Sequence, residues 1–516
     1  MPTRTFNVLP QNVNATDFTK AIDEFSTILG PENVLTDTEH LAPYMKIMLP
    51  VDEDQHAPSA AILARSVEEI QRIVEVCNRY KVPVWPISTG KNLGYGSAAP
   101  ATRGQVVLDL RRMNKIIEVD AELGTALVEP GVTYQQLYDY IQERKLPLWL
   151  SVPAPSAIAG PLGNTVDRGV GYTPYGEHFM FACGMEVVLA NGEVLRTGMG
   201  SIPNSNTWQV FKWGYGPYLD GIFTQSNYGI VTKLGLWLMP APPAYKPFLI
   251  RYPDEADISG IVDTLRPLRI AQIIPNAMTI VGVLWEAAAT IRRSQYYQGK
   301  GQIPDQYVQQ IMRDNKLGAW NVYAALYGTE EQIAVNWNII NHAVKASGKG
   351  QILTAEDLGE DPAFKYRADL MRGNMSLQEL GLYNWRGGGG SMWFAPVSQA
   401  RGSETLRQVE MAKRILGKHG LDYVGEFIVG WRDMHHIIDV LFDRTNEDEL
   451  KAAHACFNEL LTEFTNAGYG TYRTNIAFMN RVAESYGPVK QGVERRLKQA
   501  LDPNGIFAPG KSGIFV

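Results

Sequence analysis

The sequence predicts an α+β fold in two domains, on three observations. Its 516 residues exceed the roughly 100 to 200 expected of one packed unit. Helix-like and strand-like segments interleave along the whole chain, as in mixed α and β units. Four prolines fall in the eight residues 240–247, a stiff crossing between units.

The elements follow in order. Thr16 to Leu29 places Phe18, Ile22, Phe25 and Leu29 on one side of an amphipathic helix that Gly30 stops. Ser66 and Glu69 form a capping box ahead of a second helix carrying Ile70, Ile73, Val74 and Cys77. Val82 to Ile87 then reads as a strand, as do Val106 to Leu108, Ile116 to Val119 and Ala126 to Val128. Thr133 caps a helix carrying Leu137, Tyr138 and Ile141. Asn191-Gly192 joins Val187–Leu189 to Val194–Leu195 in a hairpin whose two turn residues both need positive φ. Beyond the proline-rich crossing, strands at 248–252, 322–326, 392–394 and 423–429 interleave with helices at 258–265, 330–342, 404–419 and 447–467, a second mixed unit.

Composition excludes several functions. With 48 basic and 54 acidic residues the net charge is −6, a poor basis for capturing nucleic acid. The uncharged stretch Leu146 to Val166 is as long as a membrane span, but Pro147, Pro153, Pro155 and Pro161 break it, so it reads as loop and strand. No secretory signal pattern is visible at the N-terminus. Cys77, Cys183 and Cys456 form neither CxxC nor zinc spacing, no metal site is expected, and without CxxCH any haem lies on another chain.

Five segments can carry chemistry. In Ser88-Thr89-Gly90-Lys91-Asn92-Leu93-Gly94-Tyr95-Gly96-Ser97, glycines and small hydroxyls let backbone N–H groups turn toward an anion such as a pyrophosphate. A glycine-rich surface turn is an equal alternative, since the segment is neither a Walker loop nor GxGxxG. Gly160, Gly163 and Asn164, with Asp167, Gly169 and Gly171, form a second small-residue tract suited to close approach of a flat ligand. Tyr472 and Arg473 are adjacent and face opposite ways on a strand, so joint action on a phenolic oxygen needs a bend; a packed tyrosine and a solvated arginine are the alternative. Glu426 with Asp433, His435, His436 and Asp439 suits a general acid/base pair, with Asp439 orienting the imidazole; a surface histidine pair is the plainer alternative. After Glu379, Tyr383 and Trp393 flank four glycines, which composition by itself reads as core aromatics at a tight turn.

Together these segments resemble the vanillyl-alcohol oxidase family of FAD-dependent enzymes over nearly the whole chain. STGKNLGYGSAAP, GNTVDRGVGYTPYGEHFM, GLYNWRGGGGSMWFAPVS, EFIVGWRDMHHIIDV and DPNGIFAPGKSGI carry the resemblance, in the family's order. It implies a two-domain FAD-binding flavoprotein with an α/β cap: residues 1–241 and 469–516 form the FAD domain and 242–468 the cap. It implies oxidation of 4-alkylphenols such as 4-cresol through a quinone methide and water addition, with Tyr95, Tyr472 and Arg473 on the phenolate. Glu426 and His435 then manage protons, Asp439 and Glu379 lie nearby, and Trp393 lines the substrate pocket. Ser88, Thr89, Gly90, Lys91, Asn92, Gly94, Gly160, Gly163, Asn164, Gly169, Gly171 and Lys511 fall to the cofactor, Lys511 standing where relatives carry arginine. Tyr383 matches the residue that tethers FAD through an 8α-O-tyrosyl link, Ser391 replaces the tethering histidine of other branches, and Ser151 replaces an aspartate of the aryl-alcohol oxidases.

The resemblance further implies a c-type cytochrome as electron acceptor, in an assembly of two flavoprotein and two cytochrome chains, and hence the periplasm, whereas the lack of a visible signal points to the cytoplasm. An oxidase that uses oxygen and a flavin-binding protein without turnover are the rival readings.

Overall fold

The computed structural model describes residues 6–154 and 156–516; Pro155 and the first five residues lie outside them. The first helix spans Ala15–Leu29, with Asn14 accepting from the Asp17 amide (2.9 Å) and Gly30 at φ 86° ending it. The second spans Val67–Tyr80. Ser66 Oγ accepts from the Glu69 amide at 3.2 Å, but the Glu69 carboxylate takes the Arg65 amide (2.7 Å) and not that of Ser66, so the expected reciprocal box is displaced by one residue. These helices cover a sheet in which Ala60–Leu63 and Val84–Ile87 both run parallel to Val106–Asp109. The expected strand from Val82 starts two residues late, because the Val82 amide turns back to the Cys77 carbonyl at the helix end.

A five-stranded antiparallel sheet follows, ordered Ile116–Asp120, Thr125–Val128, Ile230–Trp237, Ala182–Val188, Val194–Arg196. The 188–194 hairpin is present, yet only Gly192 (φ 84°) takes the left-handed conformation. Asn191 instead accepts from the Glu193 amide (3.0 Å), as a three-residue loop ending on a left-handed glycine allows. Within the stretch expected as loop and strand, Pro161 opens the helix Pro161–Val166. At a first helical position the missing N–H costs nothing.

The larger sheet is antiparallel, ordered Gln351–Thr354, Ala244–Tyr252, Trp320–Gly328, Met278–Gly282, Gly425–Val429, Asp433–Phe442, Gly390–Phe394, with Val397–Gln399 also paired to Asp433–Phe442. The proline-rich crossing runs straight into it. Pro247 sits inside Ala244–Tyr252, opposite Ala325, just before pairing with Gln351–Thr354 begins at Phe248, so no neighbour needs its absent N–H. Helices Ile258–Ile270, Gly402–Lys418 and Glu447–Asn466 cover one face against Phe427, Ile438, Val440 and Phe442.

Strand side chains alternate between faces. Glu426 and Ile428 therefore point away from the helices, together with His435, Ile437, Asp439, Ser391 and Trp393, toward the N-terminal half. The C-terminal tail returns to that half: the Val84 amide bonds the Ile506 carbonyl (2.8 Å) and the Ala508 amide bonds the Val84 carbonyl (2.8 Å). Among the described residues no helix is long and apolar enough to cross a membrane.

His436 lies on the helix face, fully buried, stacked on Phe427 at 4.1 Å and hydrogen-bonded to the Tyr423 hydroxyl (2.8 Å) and Gln408 (3.1 Å). The two adjacent histidines are thus on opposite faces and do not form a surface pair. Burial lowers the His436 pKa from 6.5 to about 3. A histidine kept neutral in the fold contributes stability that is complete above about pH 6.5 and is lost as pH falls toward 3, by up to about 1.4 kcal/mol per pH unit. Denaturant unfolding at pH 7 and pH 5 will show this loss, and His436→Gln will flatten it.

Candidate active site

A cleft crosses the N-terminal half between the loop after Val84–Ile87 and the helix Pro161–Val166. Ser88, Thr89, Gly90, Lys91, Asn92, Gly160, Gly163, Asn164 and Lys511 all line it. A Cβ on Gly163 would run into Ser88 Oγ, and one on Gly160 would lie 3.0 Å from Thr89 Cγ2, so the two chains approach closely only because these positions lack side chains. Gly90 has φ +67°, a conformation glycine adopts without strain. Among the described residues Lys91 forms no ion pair. Backbone amides, small hydroxyls and that free cation suit a pyrophosphate.

At one end of the cleft Lys511 Nζ holds Asp167 at 2.7 Å, and Asp167 lies 3.9 Å from Arg473. Gly94, Gly169 and Gly171 do not line the cleft: Gly94 packs under the Trp393 indole, Gly169 against the Asn164 amide, and Gly171 against His178 and Ser151. Tyr383 does not line it either.

Beyond Asp167 the chain makes the bend that joint action of Tyr472 and Arg473 requires. Strand pairing stops at the Thr471–Pro396 bridge, and residues 472–475 run free of any strand, with the Ile476 amide bonded to the Tyr95 carbonyl (3.0 Å). Tyr95, Tyr472 and Arg473 consequently converge. The guanidinium carbon lies 4.2 Å from the Tyr95 ring centre, and Nη2 donates to Asn92 Oδ1 at 2.5 Å. Burial raises both tyrosine pKa values, Tyr95 well above 10 with Tyr472 adding to the rise, so both hydroxyls stay protonated as donors. Burial works against the charge of Arg473, and the fields of Tyr95 and Asp167 more than restore it. Two O–H donors and one fixed cation form a receptor for an aryl oxyanion.

His435 stacks on Tyr472 at 4.4 Å and 19°. Its carboxylate neighbour is Asp433 (3.3 Å), which replaces Asp439 in the expected orienting role. Asp439 instead accepts from Ser391 Oγ at 2.6 Å, and burial raises its pKa well above 3.8. It adds to the effect of burial on Tyr383, whose pKa also stands well above 10. The Tyr383 and Trp393 rings meet edge to face with centres 6.2 Å apart.

Glu426, 2% exposed, has its pKa pushed up to about 8 by burial and by the like charges of Glu379 and Glu286, with Arg367 opposing. Glu379 accepts from Trp285 Nε1 (3.0 Å). Sequence reasoning did not single out Glu286 or Arg367, and gave Asp433 and Asp167 no role of their own within the segments that contain them. Glu286 left a signal, as the one charge in the apolar run 280–289. Arg367 left none, because an arginine in a helix ordinarily reads as solvated. No cluster of metal-ligating side chains occurs among the described residues.

Residues 58–198 match a family described as FAD binding domain, and residues 286–512 match the C-terminal domain of FAD linked oxidases. The chain is 62% identical to the 4-cresol dehydrogenase (hydroxylating) flavoprotein subunit of Pseudomonas putida, over 98% of either chain. The chain therefore belongs to the family of FAD-linked oxidoreductases that includes that subunit. Its fold matches a crystal structure of p-cresol methylhydroxylase with substrate bound, at a TM-score of 0.98, 62% identity and coverage of 98% of this chain and 99% of that one. It also matches an isoeugenol complex of 4-ethylphenol oxidase from Gulosibacter chungangensis, at 0.96, 37% identity and the same coverage.

FAD is the cofactor of this flavoprotein, and the glycine-walled, amide-rich cleft fits a dinucleotide. Gly163→Ala, which drives a methyl group into Ser88, is expected to lower FAD content at least tenfold. Flavin absorbance per polypeptide measures this, with far-ultraviolet circular dichroism unchanged.

Proposed function

We propose that the chain oxidises 4-alkylphenols such as 4-cresol and adds water at the benzylic carbon. The convergence of Tyr95, Tyr472 and Arg473 beside the cofactor cleft, with Glu426 and His435 on the sheet face that closes the same pocket, carries this reading. Arg473 and the two hydroxyls hold the ring oxygen as phenolate. Its electron pair pushes toward the para carbon, and the substituent loses hydride to become a p-quinone methide. When bound, FAD supplies the two-electron acceptor for that hydride. Water then adds to the exocyclic carbon, and Glu426, buried but facing Arg367, takes its proton. His435, held by Asp433, passes protons outward, because the Asp433 side chain is 44% exposed. Glu379 and Trp393 shape the pocket wall, and Tyr383 tethers the flavin.

In this reading residues 1–241 and 469–516 form the FAD domain and 242–468 the cap; the tail's bonds to Val84 support it. The electron acceptor is a c-type cytochrome subunit, in an assembly of two chains of each kind. The similar Pseudomonas putida protein is itself called a subunit, and this sequence has no haem-attachment motif. Similarity to a 4-ethylphenol oxidase keeps oxygen as the competing acceptor.

Arg473→Ala is expected to slow anaerobic flavin reduction by 4-cresol at least 100-fold while FAD content falls less than twofold; reduction at the parent rate removes Arg473 from the chemistry. Tyr383→Phe is expected to release all its flavin on denaturation, read as protein-bound flavin fluorescence on a denaturing gel. Stopped-flow reoxidation is expected to be at least tenfold faster with cytochrome c than with air, and the reverse order assigns the chain to the oxidases.

A further inference from the structure

Behind Glu426 lies a group of charges drawn from four elements. Glu286 is on the helix Val283–Ala288, Glu379 on the turn Gln378–Asn384, Glu426 on the strand Gly425–Val429, and Arg367 on the helix Pro362–Met371. None is more than 6% exposed. Arg367 is pinned between two aromatic rings, with Cζ 5.1 Å from the Tyr323 ring centre and 5.2 Å from that of Tyr366. Its fork is shared: Nε lies 3.4 Å from Glu286 and Nη1 lies 3.4 Å from Glu426. Both contacts are long for a charge-assisted bond; the one from Nη1 to Glu426 is a hydrogen bond, whereas Nε makes none. Both oxygens of Glu286 are buried without a hydrogen bond, as is Oε2 of Glu379.

Three carboxylates thus share one cation out of reach of water. Two uncompensated negative charges in such a place are prohibitively costly, so the group holds protons, and the carboxylate that Arg367 favours is the one that loses its proton first. His435 shares the face of the sheet that carries Glu426, and the other titratable groups facing Glu426 are Tyr172, from the N-terminal half, and Tyr472, from the C-terminal loop. Both are neutral phenols, which leaves Arg367 to decide the charge of Glu426.

We propose that Arg367 is a positioning residue for water addition, keeping Glu426 able to ionise near neutral pH and so to receive the proton, and that Glu286 competes for the same guanidinium and limits this effect. The inference rests on the assignment of Glu426 made above. In the step itself, the water oxygen bonds to the exocyclic carbon of the quinone methide and the exocyclic π pair returns through the ring to the phenolate oxygen. The water O–H bond breaks, with its proton passing to Glu426.

Arg367→Met, Arg367→Lys and Glu286→Gln separate this role from mere packing, because they act in opposite directions. In anaerobic single turnovers of the holoprotein with 4-cresol, the quantity read is the rate of quinone methide decay divided by the rate of flavin reduction. The ratio is expected to fall at least tenfold in Arg367→Met, to recover by at least threefold in Arg367→Lys, and to rise at least twofold in Glu286→Gln, where the guanidinium is left to Glu426. Without substrate, the infrared band of protonated carboxyl groups at pH 9, above the parent Glu426 pKa of about 8, is expected to grow in Arg367→Met. An unchanged ratio in Arg367→Met, or a lowered one in Glu286→Gln, overturns the proposal; where Arg367→Met does not fold, Glu286→Gln and Arg367→Lys decide it. A Glu426→Gln protein that hydrates at the parent rate overturns the assignment of Glu426 and the proposal with it.

Discussion

The site depends on a cation that the chain holds away from solvent. Arg473 is anchored to Asn92, lies over the ring of Tyr95 and approaches Asp167, which is itself tied to Lys511. These contacts join the glycine-rich loop, the small-residue tract and the C-terminal region at one point. The cofactor cleft and the proposed phenolate receptor therefore share a wall, with Arg473 lining both. Any arrangement that released Arg473 to water would separate the two ligands the chemistry must bring together, and would weaken its pull on an oxyanion.

The second constraint is electrostatic balance at the opposite end of the pocket. A receptor that stabilises phenolate at one end needs a proton acceptor at the other, and an acidic group buried in the same apolar surroundings tends to stay protonated. The cap answers with a strand pair whose alternation sends Phe427, His436 and Ile438 into the helix-backed core and Glu426, His435 and Asp439 into the site. Arg367 then counters the burial of Glu426. His436 shows how sharply one strand separates roles: one residue after a site histidine, it is a neutral core side chain.

Much of the fold was legible because its signals are local. The caps at Ser66 and Thr133 act within three residues, and the helices begin where they indicate. The strand Asp433–Phe442 was not anticipated, because it is buried on both faces and shows no simple alternation of apolar and polar residues. Pro161 and Pro247 were misread for a related reason: a proline's effect depends on whether its N–H would have had a partner, which only the neighbouring elements reveal.

The sequence by itself determined the helices and most strands, the glycines that let two backbones approach, and the residue types able to hold a phenolate and move protons. Each of these rests on chemistry within a few residues. Tertiary structure alone decided that Arg473 meets Asn92 across 381 positions and that Arg367 stands among three carboxylates. Such meetings are set by strand register, by the bend after Thr471 and by the return of the chain's end to the first sheet. No window of sequence records them, because their energy belongs to pairs that only folding brings within a few ångströms.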